Sequence, residues 1–189
     1  MESWRVLPDA PLTATDADSE MLRRRRCRTY RQAAKYLHHL PYGRNSDRAD
    51  FRLVLSEQRG TCSTKHALLA AVAIEHRIPV ALVIGIYDMN EANTPGVGRV
   101  LAAHGLESVP EAHCYLRYDG RRVDITRAGV TPREAIRFHQ EWTIAPSQIG
   151  AHKLALHQNY MRDWVRTQRD VGSFEAIWSI REACIAAIS

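Results

Sequence analysis

The sequence contains no uninterrupted apolar run of roughly 18 residues, the length a helix needs to cross a bilayer, so no membrane partner is expected. No apolar stretch follows a basic start at the N-terminus, so no signal peptide is expected, and the expected location is cytoplasmic. Cys-x-x-Cys pairs are absent, which argues against a structural zinc site. Cys27, Cys62, Cys114 and Cys184 are widely and irregularly spaced, and a chain of 189 residues buries enough surface to fold without disulfides. They are therefore read as reduced thiols, with Cys27, Cys114 and Cys184 as small core residues. Internal repeats, low-complexity segments, zinc-finger spacing and RNA-binding signatures are also missing.

What is present is a chain with 45% hydrophobic residues and a net charge of +5, supplied almost wholly by arginine. The one dense basic run, Arg23 to Arg28, is interrupted by Cys27. It is read as the solvated face of a helix, with a basic nucleic-acid-binding protein as the alternative.

Residues 1–18 are rich in Pro, Asp and Thr and are expected to form a loose tail, leaving 19–189 as a single domain. Tyr30, Ala33, Ala34 and Leu37 recur at helical spacing, which predicts a helix over 19–39 capped by Ser19. A short helix is expected at 50–57. A strong one opens at Cys62 and stops before Ile78-Pro79. Residues 79–87 read as a buried strand and 97–104 as a short helix. Asp119-Gly120 between two strand-like runs, 112–118 and 121–126, predicts a hairpin. Thr131-Pro132-Arg133-Glu134 reads as a helix start, and helices over 146–169 and 173–188 close the chain. The fold class is α+β.

The chemistry centres on Cys62. It follows a glycine by two positions and stands in the first turn of a helix, where unpaired N–H groups and the helix dipole favour a thiolate. In a symmetric hairpin 115 faces 124 and 113 faces 126, so His113, Tyr115, Asp124 and Thr126 share one sheet face. His113 and Asp124 are then diagonal neighbours, an arrangement in which an acid orients an imidazole. His66 is read as a packed histidine, with a second base or a metal partner as the alternative. His152, His157, Tyr160 and Trp164 are read as a helix-packing face.

The segment Gly60-Thr61-Cys62-Ser63-Thr64-Lys65-His66-Ala67-Leu68-Leu69 resembles the nucleophile helix of transglutaminase-like domains. In that superfamily a Gly-x-Cys helix is followed by a Gly-Ile-Pro-Ala-like turn, here Arg77-Ile78-Pro79-Val80, and by a strand ending near glycine, here Val83-Ile84-Gly85. A histidine strand follows, here Glu111-Ala112-His113-Cys114-Tyr115-Leu116, and then an acid strand, here Val123-Asp124-Ile125-Thr126. The match covers roughly residues 50–130. Tyr115 stands where the family often has Trp, and Ile125 where it has Pro.

The resemblance implies a papain-like core, with Cys62 at the N-terminus of a central helix on a small antiparallel sheet and extra C-terminal helices. It implies a Cys62–His113–Asp124 triad that transfers acyl groups from an amide through a thioester, with Gln58 as a candidate oxyanion donor. Hydrolysis of a peptide, protein or small amide is the preferred outcome, and transamidation the alternative. No metal or organic cofactor is expected. A non-catalytic binding module of the same fold is the rival reading.

Overall fold

Residues 2–168 and 171–189 are described by a computed structural model. The architecture is α+β. The described residues form α1 (Ala17–Arg24), α2 (Tyr30–His39), α3 (Leu53–Glu57), α4 (Cys62–Glu75), β1 (Ala81–Met89), α5 (Gly98–Ala103), β2 (Val109–Tyr118), β3 (Arg121–Val123), β4 (Gln140–Ile144), α6 (Ala151–Thr167) and α7 (Phe174–Ala187). Two 3-10 turns, Ser3–Val6 and Pro146–Ile149, complete them. The strands form one antiparallel sheet in the order β3-β2-β1-β4.

The helix expected over 19–39 is two helices. Arg26 takes a left-handed conformation (φ 64°). The amides of Arg26 and Cys27 turn back to the carbonyls of Arg23 (2.8 Å) and Leu22 (3.1 Å), which closes α1. Thr29 then caps α2, its hydroxyl accepting from the Gln32 amide at 3.2 Å. Ser19 is not a cap: it lies inside α1, buried, and both its amide and its hydroxyl donate to the Glu75 carboxylate.

The hairpin has the expected register, with Tyr118 opposite Arg121, Arg117 opposite Arg122 and Leu116 opposite Val123. Asp119 (φ 47°) and Gly120 (φ 69°) form the two-residue loop with both central residues left-handed, the turn whose twist suits paired strands. β3 ends at Val123, earlier than the 121–126 expected. The helix start expected at 131–134 does not form. No apolar helical stripe follows the capping pattern, and the amides of Arg133 (2.7 Å) and Glu134 (3.0 Å) both go to the Ala92 carbonyl. The expected end of the 146–169 helix at residue 169 lies outside the described residues.

The chain divides into two compact units, where one domain over 19–189 was expected. The first comprises Met1–Ile84, Cys114–Ala128 and Trp142–Gly150, and the second Gly85–His113, Gly129–Glu141 and Ala151–Ser189. In the first unit α4 is the central helix. It is buried on nearly every side, and α1, α2, α3 and the turn Pro146–Ile149 all pack on it. Its Leu68 and Leu69 are fully buried, as are Leu22, Tyr30, Leu37 and Val54 of the same unit. Each such leucine stabilises the fold by roughly 1.5–3 kcal/mol.

Residues 2–18, within the segment expected to be a loose tail, are packed on the fold. Trp4, Leu7 and Leu12 are buried, and the turn Ser3–Val6 packs on α2 and β3. In the second unit Tyr87, Met89, Val97, Leu101, Val109, Met161, Ile177, Cys184 and Ile185 form the core. Within it Glu111 holds a bidentate ion pair with Arg181, both nearly inaccessible.

Candidate active site

The site begins with the break before α4. Gly60 sits where a Cβ would lie 2.8 Å from Val54 Cγ2 and 2.9 Å from Thr64 Oγ1, so the chain approaches the helix too closely for a side chain. Thr61 is the N-cap of α4. Its hydroxyl accepts from the Thr64 amide at 3.5 Å, and Thr64 Oγ1 accepts from the Thr61 amide at 3.0 Å, a reciprocal capping box. The Thr64 hydroxyl donates onward to Asn45 Oδ1 at 2.8 Å. Asn45 in turn donates to Glu57 and to the Arg59 carbonyl, both at 3.0 Å. Cys62 is therefore the first residue of a rigidly capped helix, 7% exposed, with Sγ 3.9 Å from Ser63 Oγ. None of the four cysteines is in a disulfide.

Asp124 follows directly on β3 in the same unit and is fixed from three directions. Ser3 Oγ donates to its carbonyl at 2.7 Å and accepts from its amide at 2.9 Å. Its Oδ1 accepts from the Thr126 amide (2.9 Å) and the Thr126 hydroxyl (2.5 Å). The third direction is α4. His66 Nε2 accepts from the Ile125 amide at 2.9 Å and lies 3.7 Å from Asp124 Oδ1, while Nδ1 donates to the Cys62 carbonyl at 2.6 Å. His66 is completely buried, packed as expected, with its two nitrogens in different roles.

Lys65 is the residue that sequence reasoning passed over. It is fully buried, and Nζ donates to the carbonyls of Leu40 (2.6 Å) and Thr126 (2.9 Å). Burial pushes its pKa down to about 8, against the opposing pull of Asp124 and Cys62. A sequence signal did exist: Cys62, Lys65, His66 and Leu69 recur at helical spacing, which puts a lysine and a histidine on the face carrying the cysteine. Asn45 and Ser3 carry no comparable signal.

His113 belongs to the second unit, at the point where β2 passes into the first. It is 7% exposed. Its ring lies nearly parallel to Phe138 (centroids 6.4 Å, 15°) and edge-on to Tyr87 (6.2 Å, 78°). Gln58 is an exposed residue in the left-handed conformation (φ 54°) at the end of α3. Its amide group donates to the Leu55 carbonyl and its oxygen accepts from the Tyr36 hydroxyl at 3.0 Å, so both ends are engaged locally.

Cys114 is fully buried, as expected of a core thiol. On α6, His157 donates from Nε2 to the Pro110 carbonyl at 2.9 Å, and burial pushes its pKa down to about 4. The second unit also holds an open polar cavity of about 500 Å³ lined by Asp88, Asn90, Asn93, Glu134, Ala135 and Arg137. Among the described residues no group of three His, Cys, Asp or Glu side chains is placed to hold a metal, and no helix is long and apolar enough to cross a membrane.

Arg24, Arg25, Arg26 and Arg28 of the arginine run are exposed, as expected of a solvated run, but α1 ends at Arg24, so the run is not carried on one helix. Arg23 donates to the carbonyls of Leu12 and Ala14, Arg24 pairs with Glu20 at 2.5 Å, and Arg25 donates to the Leu55 carbonyl at 2.7 Å.

Comparison with known proteins finds no matching family model, no matching curated protein and no matching solved structure.

Proposed function

We propose that this chain is a cysteine-dependent acyl-transfer enzyme of transglutaminase-like type, built on a papain-like core, that cleaves an amide bond through a thioester. The observation that carries the reading is the single bonded fragment made by the start of α4 and the end of β3. There Cys62 occupies the first position of a capped helix, and Asp124 is clamped by Ser3 and Thr126. The hairpin register supports the rest of the set. It pairs Leu116 with Val123, the residue before Asp124, and His113 enters the set on the resemblance, which gives the histidine of this strand the role of base.

In the proposed reaction His113 takes the Cys62 proton and the thiolate attacks the amide carbonyl carbon. Backbone N–H groups in the first turn of α4 steady the oxyanion. The C–N bond then breaks, and the amine leaves with the proton held by His113. Water gives its proton to His113 and attacks the thioester, the C–S bond breaks, and Cys62 is restored with the acid released. Asp124 orients His113 and stabilises its imidazolium. Gln58 has no part in this scheme, because its amide is bonded locally. The substrate is a peptide, protein or small amide. Transamidation differs only in that an amine replaces water. A reducing, cytoplasmic setting belongs to the proposal, since Cys62 has to remain a thiol.

The test is the rate of Cys62 alkylation by iodoacetamide against pH, followed by peptide mass spectrometry in the wild type, His113→Ala and Asp124→Ala. An activated thiolate reacts well below pH ~8.5, the ordinary thiol value, and His113→Ala slows it. A wild-type Cys62 that titrates as an ordinary thiol would sink the enzyme reading and leave a binding module.

A further inference from the structure

Lys65 stands three residues after Cys62 on α4, the spacing at which helical side chains are neighbours. Its stem is enclosed, and its ammonium is held by two backbone carbonyls from different parts of the first unit, Leu40 at the end of α2 and Thr126 after β3. A lysine buried this completely in a helix of alanine and leucine is costly for the fold unless its charge is used. Two carbonyl dipoles offset part of that cost. The remaining anionic partners available to it in this unit are Asp124 and the thiolate form of Cys62.

We propose that Lys65 is the counter-charge of the site, a positioning residue that favours Cys62 as a thiolate and pins the Asp124 segment through the Thr126 carbonyl. The proposal rests on the reading of Cys62 as nucleophile. Lys65 touches no substrate in this scheme; it acts through Cys62 and Asp124. The ionisable groups around it are Cys62 and His66 on α4, Asp124 after β3, and His38 on α2, which has Glu2 at 3.6 Å. His66 is neutral, because its Nε2 accepts a hydrogen bond, and His38 is held below its ordinary pKa, first by burial. Lys65 is thus the cation of this group at neutral pH. Since its own pKa lies near 8, its support for the thiolate is full below that pH and fades as pH rises through it.

The experiment is the alkylation profile of Cys62 in full-length wild type, Lys65→Met and Lys65→Arg, with a thermal melt of each. Lys65→Met is expected to raise the midpoint of thiolate formation by about one to three pH units, and Lys65→Arg to stay near wild type. If Lys65 only tethers the two carbonyls, Lys65→Met lowers the melting temperature but leaves the midpoint in place, which overturns the proposal. If wild-type Cys62 itself titrates as an ordinary thiol, the nucleophile reading falls and this inference with it. If wild type is activated and Lys65→Met keeps the same midpoint, only the inference falls.

Should Lys65→Met fail to fold, the reciprocal measurement decides. The lysine side-chain nitrogen is followed by NMR against pH in wild type and Cys62→Ala. A lower Lys65 pKa in Cys62→Ala supports the coupling, and an unchanged one refutes it.

Discussion

At the scale of single residues, His66 and His113 are the instructive pair. His66 is nearer to Cys62 in sequence and lies 3.7 Å from Asp124, so proximity alone would choose it as the base. Its hydrogen bonds argue otherwise. Nδ1–H is committed to the Cys62 carbonyl and the Nε2 lone pair to the Ile125 amide, which fixes one neutral tautomer and leaves no nitrogen to take a proton. His66→Leu is expected to cost about 1–3 kcal/mol by stranding the buried Ile125 N–H, read as a lower urea midpoint. Loss of activity in that variant should track loss of folded protein. Ser3 is a second case. Its one hydroxyl both donates to and accepts from the Asp124 backbone, so Ser3→Ala should lower stability by about 1–2 kcal/mol. An unchanged melting temperature would mean Asp124 is held without it. Sequence pattern placed the candidates Cys62 and Asp124 at a helix start and just after a hairpin, because both are local signals. Ser3, Asn45 and Lys65 were not legible as site components, because their partners are brought together only by the tertiary fold.

At the scale of elements, the hairpin shows how far local chemistry reaches. Asp119-Gly120 supplied the left-handed loop and with it the register of β2 against β3. Gly120→Val should cost about 1 kcal/mol or more through the positive φ, with Asp119→Asn close to neutral, as thermal melts would show. The opposite lesson comes from residues 131–134, where a well-formed capping pattern has no apolar stripe behind it and no helix follows. β4 escaped notice for a related reason, since its residues are mostly exposed or half-buried and do not alternate between core and solvent. The long helix expected over 19–39 failed at Arg26, an ordinary residue in a left-handed conformation where glycine would have announced the stop.

At the scale of the whole molecule, charge is buried in both units, and acid should find the weakness in the second. His157 is held neutral, with a pKa pushed down by burial to about 4 from an ordinary 6.5. As pH falls through 6.5 the unfolded chain takes up a proton that the folded one refuses, so His157 lowers stability progressively between about pH 6.5 and 4. Glu111 acts in the same direction: burial opposes its charge, but Arg181 and His157 outweigh that and hold its carboxyl below the usual range. Urea unfolding at pH 7 and pH 4.5 should therefore differ by up to roughly 3 kcal/mol, and His157→Gln should flatten the difference.

Each unit is assembled from three separated stretches of chain, the first closing only with Trp142–Gly150. A ribosome that has made the Cys62 helix has still to make Trp142–Gly150, and the segment that completes the packing around it emerges much later. Cys62 is thus synthesised well before the unit that contains it can be finished. Whatever reactivity Cys62 has in the folded unit therefore waits on residues joined well after it.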